Sequence, residues 1–204
     1  MRVIRFKIHP QNPQMRLIMQ ICELLNQGGL MVYPTDSTYA LGCRMDARDA
    51  QERLRMIRGH DKDHHLTLVC KDLSALSEYA TVNNVAFRIL KKYTPGPYTF
   101  ILPGSAHLPR RLADPKRKTI GLRIPNHPVL QALLAQLDVP LLSTTMQLPN
   151  DNLPLADPDI IESVLAKQVD MLVDAGAGSF ELTTVIDLTT DEPKLVRQGA
   201  GDWP

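Results

Sequence analysis

Short strand-like and helix-like patterns alternate along nearly the whole sequence, and this alternation limits the fold more than any other feature. The strand patterns are residues 3–8, 30–33, 66–70, 98–102, 119–124, 141–143, 171–174, 183–188 and 195–197. The helical patterns are residues 17–25, a segment containing 54–57, and residues 73–79, 85–93, 129–137 and 159–166. No linker long enough to divide the chain interrupts this order. We therefore predict a single α/β domain over residues 1–204 with a twisted mixed sheet.

A dense row of polar side chains follows one of these predicted strands. The apolar run 30–33 ends at Pro34, which cannot donate to a sheet ladder. The residues after it are Thr35, Asp36, Ser37, Thr38 and Tyr39. Ligands of open α/β sheets lie in the crevice beyond the carboxyl ends of strands, so this segment is a candidate binding loop. The alternative is a turn that its own hydroxyl and carboxylate groups stabilise.

Composition restricts the partners and the cellular setting. The formal net charge is +1, so there is no overall attraction to nucleic acid or membranes, and any basic surface must be local. Cys22, Cys43 and Cys70 lie far apart and show neither metal-ligand nor disulfide spacing. Such cysteines are typical of the reduced core of a cytoplasmic protein. The sequence has no signal peptide and no apolar run of about 20 residues, so no membrane insertion is expected.

Hydroxyl and cationic side chains recur at the ends of several predicted strands. Besides residues 35–39, they are Thr119, Arg123, Ser143, Thr145, Thr183, Thr184 and Arg197. Such groups donate hydrogen bonds to anionic oxygens without a metal or a base. The pattern therefore predicts a ligand that carries phosphate or carboxylate.

Other kinds of site lack their sequence signatures. There is no glycine-rich strand-to-helix turn and no Gly-Lys-Ser/Thr loop, which argues against a dinucleotide cofactor and a P-loop. His60, His64 and His65 share one segment but lack zinc-ligand spacing, so no metal site is predicted. No Gly-x-Ser-x-Gly turn presents a serine nucleophile, and Asp187 in an apolar strand is interpreted as structural. The catalytic residue stays unassigned.

A cluster of basic residues lies at 107–118, between two predicted strands. Its cations are Arg110, Arg111, Lys116, Arg117 and Lys118. Such a run is most often a solvated loop, and otherwise a surface that follows a phosphate backbone. Both interpretations stay open, and the second makes these residues candidate nucleic-acid contacts.

Five sequence blocks are similar to one known family. Residues 33–42 read YPTDSTYALG and resemble the YPTDT-x-YGLG motif of the YrdC-type family of threonylcarbamoyl-AMP synthases. The other similar blocks are TPGPYTFIL at 94–102, TIGLRIPNHP at 119–128, PLLSTTMQL at 140–148 and TTVIDLTTDEPKLVRQGA at 183–200. They occur in family order over nearly the whole chain. Within the family they most resemble the YciO branch.

The resemblance implies a YrdC-like fold with a concave basic face that binds nucleotides and double-stranded RNA. It also implies a reaction that joins L-threonine, bicarbonate and ATP into threonylcarbamoyl-AMP and pyrophosphate, for the t6A modification of tRNA. Carried over position by position, the threonine contacts are Thr35, Arg123 and Thr183. The nucleotide contacts are Arg58, Lys62, Thr119, Ser143, Thr145, Gln147 and Arg197, with Mg2+ accompanying the triphosphate.

Departures from the family pattern predict a weakened activity. Arg58-Gly-His60 stands where the family has Lys-x-Arg, so a fixed cation is replaced by a side chain that is mostly neutral at pH 7. Thr145-Met-Gln147 stands for Ser-x-Asn, and Ala40 replaces a glycine. Three interpretations stay open: a synthase or a weak relative of one, a protein that binds nucleotide or RNA without synthase activity, or a protein of the family fold with no surviving site. The additional C-terminal domain of longer relatives is expected to be absent.

Overall fold

The computed structural model describes residues 3–59 and 66–204. Its strands are β1 (Ile4–Lys7), β2 (Met31–Tyr33), β3 (Ala40–Arg44), β4 (Thr67–Val69), β5 (Tyr98–Pro103), β6 (Thr119–Arg123), β7 (Leu141–Thr145), β8 (Met171–Asp174), β9 (Thr184–Asp187) and β10 (Lys194–Arg197). Its helices are α1 (Met15–Asn26), α2 (Arg48–Ile57), α3 (Leu73–Tyr79), α4 (Asn84–Tyr93), α5 (Pro128–Gln136) and α6 (Pro158–Leu165). The predicted contact Lys62 lies outside the described residues.

The strands form one sheet, in the order β1-β8-β2-β3-β7-β4-β6-β5-β9-β10. The pairs β1/β8, β8/β2, β4/β6 and β5/β9 are parallel, and the other neighbours are antiparallel. Strands that are far apart in sequence therefore lie side by side. The predicted single α/β domain with a mixed sheet is confirmed over the described residues.

The sequence prediction missed one strand in the middle of the sheet. β3 pairs with β2 on one side and with β7 on the other. Because residues 40–43 are all buried, they show no polar and apolar alternation that would distinguish a strand from the loop before it. The polar segment at residues 34–39 is therefore the connection of a β-hairpin.

Helices cover the two faces of the sheet unequally. On the first face, α2, α3, α4 and α6 contribute Leu54, Leu76, Leu90 and Ile161 to one core. On the second face, α1 and α5 pack over β1, β8, β2 and β3, and reach Leu141 of β7 and Val69 of β4. Among the described residues, β6, β5, β9 and β10 add no side chain to this second core. The described helices leave these strands' part of the second face open.

The sequence of β6, TIGLR, sorts its side chains between these two faces. Ile120 and Leu122 belong to the first core, so Thr119, Gly121 and Arg123 point the other way. Arg123 is paired with Val69 of β4, which belongs to the second core. The polar side of β6 therefore faces the open part of the second face.

The structure also shows the state of the cysteines and the character of the helices. Cys22, Cys43 and Cys70 are free and buried, as expected for core residues. Burial raises the pKa of the Cys43 and Cys70 thiols to about 12, so both thiols keep their protons at neutral pH. In the part of the chain that the structure describes, no helix has the length and apolar character needed to cross a bilayer.

Candidate functional site

A cavity of about 670 Å3 lies on the open part of the second sheet face. The strand registers place a row of its residues side by side: Ser143 of β7, Thr67 of β4, Gly121 of β6 and Ile101 of β5. Directly paired residues of neighbouring strands point to the same side of a sheet, so this row forms the floor of the cavity. Its volume is typical of a small-molecule site.

Gly121 leaves space at the centre of the cavity floor because it has no side chain. A Cβ atom at this position would lie 3.0 Å from Thr67 Oγ1 and 3.4 Å from Thr99 Cγ2. Both threonines line the cavity themselves. A larger residue at position 121 would therefore take up space at the centre of the floor and displace hydroxyl groups around it.

The lining is cationic and rich in hydroxyl groups. Its arginines are Arg55, Arg111, Arg117, Arg123 and Arg197, and among the described residues Asp114 is its one carboxylate. Its hydroxyl groups belong to Ser37, Thr38, Tyr39, Thr67, Thr99, Thr119, Ser143, Thr144, Thr145 and Thr183. Guanidinium and hydroxyl groups donate hydrogen bonds to phosphate and carboxylate oxygens. The lining is therefore suited to an anionic ligand.

Arg123 is the most deeply buried of these arginines, with 8% of the residue exposed. Its Nη2 donates to Asp36 Oδ1, and the two side chains form a buried ion pair. Asp36 Oδ2 also accepts from the backbone N–H of Asn126 at 2.6 Å. Arg123 Nε is buried and has no hydrogen-bond partner among the described residues. Asp36 therefore holds the guanidinium in place at the cavity lining.

Arg197 and Thr183 form a second polar group, on the β9–β10 side of the cavity. Arg197 donates to the Thr183 carbonyl oxygen from Nε at 3.1 Å and from Nη2 at 2.9 Å. Thr183 Oγ1 lies 2.9 Å from Thr99 Oγ1 of β5. Arg197 is exposed on β10 and lines the cavity, so its guanidinium is accessible to an anionic ligand.

The basic run at residues 107–118 is a loop between β5 and β6, anchored by the buried Leu108 and Leu112. Two of its arginines line the cavity: Arg111 donates to a backbone carbonyl at 3.1 Å, and Arg117 pairs with Asp187 at 2.7 Å. The other predicted nucleic-acid contacts are exposed and lie outside the lining: Arg110, Lys116 and Lys118. The structure therefore divides this basic run between the cavity and the solvent.

Six of the predicted ligand contacts share the cavity. They are Thr119, Arg123, Ser143, Thr145, Thr183 and Arg197. Thr35 lies outside the lining. Its Oγ1 donates to the Thr38 carbonyl at 2.6 Å and accepts from the Ser37 N–H at 3.1 Å, so this hydroxyl stabilises the hairpin loop. Thr35 therefore fits the alternative to a binding loop, a turn that its own side chains stabilise.

Arg58 and Gln147 also lie outside the lining, and they contact each other. Arg58 Nη1 donates to the Gln147 carbonyl oxygen. Gln147 Nε2 donates to the Asp151 carbonyl oxygen at 2.6 Å. Gln147 is one of the positions that departs from the family pattern, and its side chain, like that of Arg58, is engaged with the protein itself.

Some lining residues were absent from the predicted set. Thr67 and Thr99 alternate with the buried Leu68 and Phe100, so the side of the strand on which they lie could have been read from the sequence. Arg55 lies on α2, and no comparable signal distinguishes it from the other charged residues of that helix.

Comparison with known proteins identifies the family. The Sua5/YciO/YrdC model, described as "Telomere recombination", matches residues 23–199. The chain belongs to this family. The YciO protein of Escherichia coli K12 is 52% identical over 197 residues, which cover 97% of this chain and 96% of YciO. A threonylcarbamoyl-AMP synthase of Vibrio vulnificus is 29% identical over 186 residues, which cover 89% of this chain and 98% of the synthase. The predicted placement in the YciO branch is confirmed.

Solved structures of the Sua5/YciO/YrdC family have the same fold. The crystal structure of E. coli YciO matches with a TM-score of 0.94 and covers 98% of this chain and 97% of its own. The structure of P. abyssi Sua5 complexed with L-threonine matches with a TM-score of 0.87 at 23% identity, and covers 97% of this chain and 58% of its own. The predicted YrdC-like fold is confirmed.

Proposed function

We propose that this YciO-type protein binds ATP and L-threonine in the cavity and forms threonylcarbamoyl-AMP and pyrophosphate, more slowly than the synthases of its family. The observation that carries the proposal is the concentration of arginines and hydroxyl groups in one cavity of about 670 Å3. A lining of this kind suits ligands that carry both phosphate and carboxylate groups. The 29% identity with a threonylcarbamoyl-AMP synthase supports the choice of reaction.

The reaction requires mainly orientation and stabilisation of charge. The amino group of threonine and bicarbonate form a carbamate with loss of water, and a carbamate oxygen then attacks the α-phosphorus of ATP while pyrophosphate leaves. Negative charge shifts onto phosphate oxygens during this attack, and fixed guanidinium and hydroxyl donors stabilise it. Mg2+ would enter with the triphosphate as part of the substrate.

The proposed roles follow the position of each residue. Arg123 and Thr183 contact threonine, and Thr119, Ser143, Thr145 and Arg197 contact the nucleotide. Thr35 acts by supporting the hairpin loop. Arg58 and Gln147 bond with the protein itself, so they supply fewer donors than the family pattern. Each lost charge-assisted hydrogen bond costs about 1.5–3 kcal/mol, or about tenfold to a hundredfold in rate.

The test is a pyrophosphate-release assay with ATP, Mg2+, bicarbonate and L-threonine. We expect slow release that requires threonine. Thr183→Val should lower it, because the variant removes the hydroxyl beside Thr99 while keeping the side-chain shape. Thr190→Val is the matched control, since Thr190 lies in the exposed turn before β10. Absence of threonine-dependent release at high protein concentration would reject the proposal.

A second candidate function is binding of double-stranded RNA or tRNA, favoured by the exposed cations outside the cavity. Replacing Arg110, Lys116 and Lys118 with alanine should weaken RNA binding and reduce its salt dependence, since each phosphate contact releases counterions. ATP affinity should stay unchanged in this variant. A wild-type RNA-binding curve that is the same at low and physiological salt would exclude this function.

A further inference from the structure

Tyr33 belongs to the second core and contacts the cavity lining at Ser143. It is fully buried on β2, and its hydroxyl oxygen lies 2.6 Å from Ser143 Oγ on β7, two strands away in the sheet. Its ring crosses the intervening strand at Gly42, where a Cβ atom would lie 2.7 Å from Tyr33 Cε1. The contact therefore depends on a glycine at position 42.

Counting donors and acceptors shows which hydroxyl group donates in the contact between Tyr33 and Ser143. Ser143 Oγ donates to the Leu41 carbonyl oxygen at 3.1 Å, and a serine hydroxyl has one hydrogen. Among the described residues, Ser143 is the hydrogen-bond partner of the Tyr33 hydroxyl. If Ser143 donated to Tyr33 instead, the buried Tyr33 hydrogen would lack an acceptor and incur a desolvation penalty. Tyr33 therefore donates to Ser143, and Ser143 donates to Leu41.

This assignment determines what Ser143 offers to a ligand. Its hydrogen is used by Leu41, one lone pair accepts from Tyr33, and the second lone pair is left for the cavity, which Ser143 lines. A lone pair accepts from an N–H or O–H group and repels a phosphate or carboxylate oxygen. Burial raises the pKa of Tyr33 to about 12, so Tyr33 keeps its hydrogen at neutral pH.

We propose that Tyr33 is a positioning residue that makes Ser143 a pure hydrogen-bond acceptor, so the cavity receives an N–H or O–H donor of its ligand at Ser143 and anionic groups at the arginines. The identity of the ligands rests on the proposed function. Two donor groups fit this chemistry: the amino group of adenine, in line with the nucleotide contact proposed for Ser143, and the amino group of L-threonine, which would move Ser143 to the threonine contacts. Both belong to substrates that also carry anionic groups.

The inference can be tested by calorimetry with Tyr33→Phe, Ser143→Ala and the double variant. Tyr98→Phe is the matched control, since its hydroxyl donates to the Asp202 carbonyl at 2.9 Å, outside the cavity lining. The ligand pairs are L-threonine with 3-hydroxybutanoate, which lacks the amino group, and ATP with ITP, which lacks the adenine amino group. Pyrophosphate is the anionic probe without such a donor.

Tyr33→Phe and Ser143→Ala should each reduce either the preference for L-threonine over 3-hydroxybutanoate or the preference for ATP over ITP. The expected reduction is about threefold to tenfold, the effect of one hydrogen bond. The affected pair identifies the donor as the threonine amine or the adenine amine. The double variant should lose no more than Ser143→Ala, and pyrophosphate affinity should change less than twofold. An equal loss for pyrophosphate, or unchanged preference in both pairs, would overturn the inference.

A ligand-free measurement separates this inference from the proposed function. In wild-type protein, NMR should detect a slowly exchanging Tyr33 hydroxyl proton that Ser143→Ala shifts or removes. If that signal is present but neither threonine nor ATP binds, the hydrogen assignment is supported and the proposed function is rejected. If a folded protein shows no protected Tyr33 hydroxyl proton, the inference is overturned.

Discussion

Positively charged side chains are buried at one side of the cavity and exposed to solvent on the loop between β5 and β6. We call Tyr33, Asp36, Arg123 and Ser143 the buried end: Arg123 and Ser143 line the cavity, and Asp36 and Tyr33 hold them through an ion pair and a hydrogen bond. The exposed loop carries Arg110, Lys116 and Lys118 in contact with solvent. Charges interact strongly where water is excluded and weakly where salt screens them. The buried end should therefore determine which ligand binds, and the exposed loop how strongly polyanions are attracted.

Removing Asp36 is expected to have the largest effect, because it leaves the Arg123 charge buried without its partner. Asp36→Ala should lower the free energy of unfolding by about 3 kcal/mol or more. The matched control is Asp138→Ala, which removes an exposed partner of Arg44 and should change stability by under about 1 kcal/mol. Urea unfolding of both variants tests the contrast, and equal effects would contradict it.

Restoring the family pattern is expected to give the next largest effect. His60→Arg combined with Gln147→Asn should raise threonine-dependent pyrophosphate release by about tenfold to a hundredfold, since it restores a fixed cation and a shorter amide. Gln147 is engaged with the Asp151 carbonyl, and the shorter side chain should release that contact. Steady-state rates of the single and double variants provide the measurement. Unchanged rates would locate the weak activity elsewhere in the chain.

Arg197 offers a comparison within one strand. Arg197→Met should weaken nucleotide binding by about tenfold, because the guanidinium lines the cavity and is held by Thr183. Lys194→Met is the control, since Lys194 is exposed on the same strand but lies outside the lining. Calorimetric titration with ATP measures both. A similar loss in the two variants would indicate a general loss of positive charge rather than a specific contact.

The pH dependence of stability is expected to give the smallest effect. Burial alone would raise the pKa of Asp187, but hydrogen bonds from Thr189 and Arg117 outweigh it and hold the pKa below its usual value. A lowered pKa in the folded state stabilises the protein above pH 3.8, and this contribution disappears as the pH falls below that value. Asp187→Asn should therefore differ from wild type at pH 6 by under about 1 kcal/mol and converge with it near pH 3.

Urea midpoints between pH 3 and pH 6 test this prediction. Arg117→Met should reproduce part of the effect at pH 6, because Arg117 is one of the groups that hold the carboxylate in its charged form. A difference between Asp187→Asn and wild type that grows as the pH falls would contradict it.

Much of the fold could be predicted because single elements carry clear periodicity. The helical spacing around Ile18, Ile21 and Leu25 identified α1, and all three side chains are buried. β6 shows the corresponding alternation of period 2. β3 could not be predicted from its own residues, because its strand character comes from pairing with β2 and β7. A short strand that is buried on both faces carries too little pattern of its own.

The site was harder to predict than the fold because it depends on where side chains point. Strand-end chemistry and family resemblance indicated Arg123, Thr183 and Arg197, which share the cavity. The same reasoning cannot distinguish a hydroxyl that faces a ligand from one used in a turn, as for Thr35. The direction of the Arg58 side chain depends on its hydrogen bond to the Gln147 carbonyl oxygen, which belongs to a distant part of the chain.

The cavity is assembled from the neighbouring strands β3, β7, β4, β6, β5, β9 and β10, whose residues span most of the polypeptide. No local segment can therefore form it, and ligand binding is thermodynamically coupled to folding of the sheet as a whole. A ligand at one hundred times its dissociation constant would add about 2.7 kcal/mol to the resistance against unfolding. Melting temperature measured across a panel of small anions would consequently serve as a direct assay for the natural occupant.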